Sequence, residues 1–117
     1  MACNVVKRYP DTANVNATVT GQVTLKGLNI AGKMTEVTLN AATWTPLPAT
    51  PLVNRNAIRI QNQGGVEIKT NYDPLAVGYV GIKIAADGSD AYDITDNIII
   101  YAKASAGTPK ILVEELS

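Results

Sequence analysis

The chain has 117 residues, ten Lys plus Arg against ten Asp plus Glu, and no His or Phe. That length fits one domain. The charge balance lacks the basic excess of a duplex-binding protein, and the missing His removes the commonest general base and transition-metal ligand.

Residues 1–16 read as an irregular arm. Pro10-Asp11 is a turn signal, and Asn14 and Asn16 favour turns over ladders. Cys3 is the only cysteine, so it has no intramolecular partner; it reads as a passive thiol, with an intermolecular bridge as the alternative. No apolar stretch follows Lys7-Arg8 as a signal peptide would require, and no run is long enough to span a membrane. The expectation is a soluble protein made in a cytoplasm. Asn16-Ala17-Thr18 matches a glycosylation sequon and carries no meaning without a secretory route.

Residues 17–117 read as a single β domain. Residues 17–26 alternate cleanly, with Ala17, Val19, Gly21, Val23 and Leu25 on one face and polar residues on the other. A turn at Gly27-Leu28-Asn29 and an irregular stretch through Met34 lead to a strand over residues 35–39, with Thr35, Val37 and Leu39 inward. Pro46, Pro48 and Pro51 then exclude a central strand, since each lacks a ladder donor. Trp44, the only Trp, is expected as a core plug or lid.

Residues 55–63 alternate again, with Ile58 and Ile60 opposed to Ala57, Arg59 and Gln61. Gln63-Gly64-Gly65 is expected to close a hairpin onto residues 66–70, the glycines supplying positive φ. Asn71-Tyr72-Asp73-Pro74 turns the chain. Residues 77–85 are expected as a strand containing Tyr79, and Asp87-Gly88-Ser89-Asp90 as a tight turn. A short strand follows at 91–94. Residues 98–104 are apolar on both faces at first, as in a central strand or one under a second sheet. The last strand, residues 111–116, sets Ile111 and Val113 against Leu112, Glu114 and Leu116. No segment has a helical period. The expected fold is all-β, an antiparallel β-sandwich or small barrel of seven to eight short strands with an irregular N-terminal arm.

Catalytic chemistry is not legible. No motif sets a Lys or carboxylate base beside a nucleophile. Asp87, Asp90, Asp93 and Asp96 lie in or near turns and lack EF-hand spacing. Glu114 and Glu115 are adjacent on a strand and point to opposite faces. Gly64-Gly65 opens no helix and is no phosphate loop. No enzyme activity, cofactor or metal site is expected. Arg55 and Arg59, four residues apart, are expected on one strand face, either solvated beside carboxylates or forming an exposed row for a protein partner.

A resemblance is carried by Leu47-Pro48, Arg55, Ile58, Ile60, Gln61-Asn62, Gly64-Gly65 and residues 66–68. Downstream it continues through a strand around 78–84, an Asp-Gly turn, Ile100-Tyr101-Ala102 and the ending Val113-Glu114-Glu115. This pattern over residues 43–117 resembles small virion proteins of tailed bacteriophages. The resemblance implies an all-β structural module of the virion. Its leading form is a capsid decoration or cement protein that binds the major capsid protein or other virion proteins. Arg55, Arg59, Pro46, Pro48 and Pro51 are the expected contact residues. A homo-dimer or trimer is compatible with it; nucleic acid and membrane are not expected partners. A low-copy collar, tail or fibre module and a receptor- or carbohydrate-binding domain are the alternatives.

Overall fold

The computed structural model describes residues 28–117. The expected arm over 1–16, Cys3 and the expected strand over 17–26 lie outside the described residues. Eight strands follow: β1 (Gly32–Thr38), β2 (Thr45–Pro46), β3 (Ala57–Asn62), β4 (Ile68–Asn71), β5 (Ile82–Ile84), β6 (Ser89–Tyr92), β7 (Tyr101–Ala104) and β8 (Lys110–Leu116). They form two four-stranded antiparallel sheets, ordered β1-β8-β3-β6 and β2-β7-β4-β5. The fold is an all-β sandwich.

Period-two patterning builds the core. Ile58 and Ile60 of β3 and Ile111 and Val113 of β8 point inward from the first sheet. Ile68 of β4, Ile84 of β5 and Ala102 and Ala104 of β7 meet them from the second, with Leu39, Leu47 and Ile100 filling the ends. Burying each large aliphatic side chain contributes roughly 1.5–3 kcal/mol relative to leaving it wet. β7 is interior to its sheet, as the apolar stretch over 98–104 predicted, and β8 is interior to the other. β2 is a two-residue edge strand, as far as Pro46 allows a ladder to run.

Some bounds shift: β1 begins at Gly32, inside the stretch expected to be irregular, and Ser89 and Asp90 of the expected tight turn open β6. Two larger expectations fail. Gly64-Gly65 closes no hairpin, because β3 belongs to the first sheet and β4 to the second. The buried Asn62 side chain steers this crossing. Its Nδ2 donates to the carbonyls of Val66 (2.8 Å), Ile84 (3.2 Å) and Ala85 (3.1 Å), and its Oδ1 accepts from Gly64 N (3.0 Å). A Cβ on Gly64 would stand 2.3 Å from Pro109 Cβ, so glycine is needed there for close approach. The positive-φ glycines of the described residues are Gly78 and Gly107. The second failure is the strand over 77–85. Only Ile82–Ile84 forms one, and Tyr79 lies in the connection before it.

Candidate functional site

Two constructions organise the polar side chains. The first is buried. Arg55 precedes β3 and is 1% exposed; Glu115 of β8 is fully buried. Arg55 Nη1 lies 2.8 Å from Glu115 Oε2. Arg55 Nη2 donates to the carbonyls of Thr95 (2.8 Å) and Ile98, and Glu115 Oε2 also accepts from Leu52 N (3.0 Å). The pair ties the loop before β3, the loop before β7 and the central strand of the first sheet into one frame. Arg55 Nε and Glu115 Oε1 have no hydrogen-bond partner among the described residues. The pair's desolvation is therefore incompletely offset, and its value lies in fixing geometry more than in net stability.

This corrects the expectation of an exposed Arg55–Arg59 row. Arg55 lies before the strand and turns inward, because two loop carbonyls and a buried carboxylate solvate it better there than a sheet face would. Arg59, within β3, is exposed and pairs with Glu114 on the neighbouring strand, Nε to Oε1 3.1 Å. Pro48 is fully buried beside Leu47 and offers no contact surface, which removes it with Arg55 from the expected contact set. Pro46 and Pro51 are half-buried. Arg59 borders a shallow groove of about 540 Å³ on the outer face of the first sheet, between Ala57, Ala91, Leu116 and Glu114.

The second construction is a strap. β4 and β5 are hydrogen-bonded neighbours, yet the ten residues 72–81 joining them fold back across the outer face of the second sheet. Side chains of that face hold the strap by its backbone. Trp44 Nε1 donates to Ala76 O (3.0 Å), Lys103 Nζ to Gly78 O (3.2 Å), Lys69 Nζ to Tyr79 O (3.4 Å) and Asn71 Nδ2 to Val80 O (2.7 Å). Tyr79 OH donates to Glu67 Oε2 (3.0 Å), and Lys69 Nζ sits 4.7 Å from the Tyr79 ring centre. These donors replace a strand partner, which is why the β-rich sequence at 77–81 forms no ladder.

Sequence reasoning placed Trp44 as a plug or lid. It is 8% exposed, but it is covered by the strap and stands apart from the main apolar cluster. Lys103 approaches its ring, 5.5 Å from the centroid. Lys69 lies opposite both Lys83 and Lys103 in register, a lysine row on the sheet's outer face. Such a row is repulsive by itself. The strap carbonyls, the two aromatic rings and Glu67, 3.9 Å from Lys83 Nζ, offset it.

The strap's own apolar side chains point to solvent. Leu75 is 84% exposed, Val77 91%, and Tyr72 and Val80 63% each. The group was not legible in the sequence because Tyr72 falls in the expected turn at 71–74 and residues 77–81 in the expected strand over 77–85. The available signals were Asp73-Pro74 and the glycines at 78 and 81. Gly78 has φ +83°, and a Cβ on Gly81 would stand 2.1 Å from Thr70 O.

Burial, and then the Glu67 hydrogen bond, push the Tyr79 phenol up to about 12. Burial and the Asp90 carboxylate do the same for Tyr92, up to about 12. Asp90 accepts from Tyr92 OH (2.9 Å), and Asp96 from Asn54 N (3.3 Å). Among the described residues no three His, Cys, Asp or Glu side chains converge on a point that could hold a metal ion. Compared with known protein families and with curated proteins, the chain matches none.

Proposed function

We propose that the chain is a structural protein of a tailed-bacteriophage virion, a decoration or cement protein that binds the major capsid lattice and stabilises the head. The observation that carries this reading is the surface of the sandwich. Large apolar side chains stand exposed on the strap, at Val53 and at Met34 of β1, on a chain of zero net charge. Exposed apolar side chains of this kind suit a subunit that is covered in an assembly, and low net charge is tolerated better there than in free solution. The sequence resemblance narrows the assembly to a virion. A protein that binds the assembled shell and not the open one stabilises the shell by mass action, with no chemistry required. Arg59, Pro46 and Pro51 remain its candidate contacts.

Quantitative mass spectrometry of purified particles tests the reading. Decoration requires copies in proportion to the capsid lattice. A handful per particle overturns it in favour of a collar, tail or fibre module.

A further inference from the structure

We infer that residues 17–27 dock along the groove on the outer face of the first sheet of their own chain. The inference stands on the path of the chain into that groove and is independent of the virion reading.

Ala31 and Ser117 form the last rung of the ladder between β1 and β8, Ala31 N to Ser117 O 3.1 Å and Ser117 N to Ala31 O 2.9 Å. Neighbouring amides on a strand point to opposite sides, yet Ile30 N donates to the same Ser117 O as Ala31 N. The chain has therefore left strand geometry and bends over the end of β8. Asn29 Oδ1 accepts there from Nδ2 of Asn56 (3.1 Å), the residue directly before β3. Followed back towards Leu28, the chain heads away from the outer edge of β1 and towards Ala57. The inner side of this end is filled by Arg55, Glu115 and the loops that meet them. The outer side carries the groove, where Ala57 and Leu116 stand opposite one another in register.

Reach, shape and charge suit the segment to this groove. The three strands that line it span about 10 Å. At about 3.3 Å per extended residue, Leu25 and Val23 lie about 10 and 17 Å along the chain from Leu28, so both can stand over the groove. They belong to the apolar side of the alternating run over 17–26, with Gln22 and Thr24 on the other side. An apolar recess of about 150 Å³ holds a benzene-sized body, and the groove of about 540 Å³ takes several aliphatic side chains. Residues 1–27 carry Lys7, Arg8 and Lys26 against Asp11, whereas residues 28–117 carry seven basic residues against nine acidic ones. The groove has the same sign as the described part, with Asp93 and Glu114 against Arg59. Lys26, two residues before Leu28, falls at its mouth.

Paramagnetic relaxation in the full chain tests the inference. A nitroxide is placed on the polar side of the segment by Gln22→Cys in a Cys3→Ser background; Thr24→Cys replaces Gln22→Cys should that variant misfold. The amides of Arg59 and Ala91 are expected to broaden beyond detection, while those of Lys69 and Lys83 in the second sheet keep their intensity. Adding Val23→Asp/Leu25→Asp is expected to restore the lost signals without moving those of β4 and β7. Undiminished Arg59 and Ala91 signals overturn the inference, as does broadening that the aspartates leave unchanged. A mixture of isotope-enriched chain without nitroxide and unenriched chain with it is expected to show no broadening. Broadening of Arg59 and Ala91 in that mixture means that a second copy fills the groove, which also overturns the inference. Failure here leaves the particle count unaffected.

Discussion

The loops around Arg55 and the strap over residues 72–81 solve one problem in opposite ways. Each leaves the sheets and carries carbonyls that no strand partner satisfies. Around Arg55 a single guanidinium takes two of these carbonyls and a carboxylate, all out of water. On the strap, four weaker donors take one carbonyl each at the surface. The buried arrangement is all-or-none, since losing either partner strands a charge in the interior. The surface arrangement is graded, since water can replace any one donor. The first therefore defines the fold, and the second holds a shape outward that the fold itself does not need.

The largest expected break in this comparison is Arg55→Met. With Glu115 left buried and unpaired, stability is expected to fall by about 3–5 kcal/mol, read by urea or thermal unfolding. Adding Glu115→Leu in the same chain is expected to recover most of the loss. A double variant as unstable as the single would show that the pair itself, and not the stranded charge, holds the frame. Next comes Gly81→Ala, whose Cβ would collide with Thr70 O; displacement of the strap is expected to cost about 1–3 kcal/mol. Its distinguishing sign is faster amide exchange within residues 72–81 while β3 and β8 keep their protection. Trp44→Phe, which removes the donor to Ala76 O, is expected to cost about 1 kcal/mol, again with protection lost first from the strap.

The phenols give a smaller, pH-dependent effect. Folding raises Tyr79 and Tyr92 from 10 to about 12, so the folded state holds these protons more tightly. Their contribution is complete below pH 10 and is lost as pH rises from 10 to 12. Tyr79→Phe is expected to flatten part of that loss, measured as melting temperature against pH. A profile identical to wild type in this window would mean that Tyr79 ionises as freely folded as unfolded. Smallest of all is Arg59→Ala, whose partly exposed pair with Glu114 is expected to be worth under about 0.5 kcal/mol.

Alternation made much of the sandwich legible in advance. Ile58 with Ile60, Ile111 with Val113, and the prolines after Trp44 gave inward faces and an edge, because strand parity and the missing donor of proline are local properties. Parity also put Glu115 on the face of Ile111 and Val113. It could not supply Arg55 as its partner, sixty residues away. Arg55 itself lies two residues before the strand whose face it was expected to share. Asn62 has the same inward parity as Ile60, but nothing local says that its amide will gather three carbonyls from two other segments and send the chain to the opposite sheet. The strap was misread for a related reason. Val-Gly-Tyr-Val-Gly-Ile suits a strand locally, and the donors that divert it come from β4, β7 and the residue before β2.

The place of β8 has a consequence for how the first sheet assembles. It pairs with β1 on one side and β3 on the other, so without it those two strands have no common neighbour and Arg55 has no carboxylate to meet. β3 and β6 pair directly, but joining β1 to them through β8 brings together residues far apart in sequence, which favours slow folding. The β4–β5 pairing and its strap, local in sequence, can form before that.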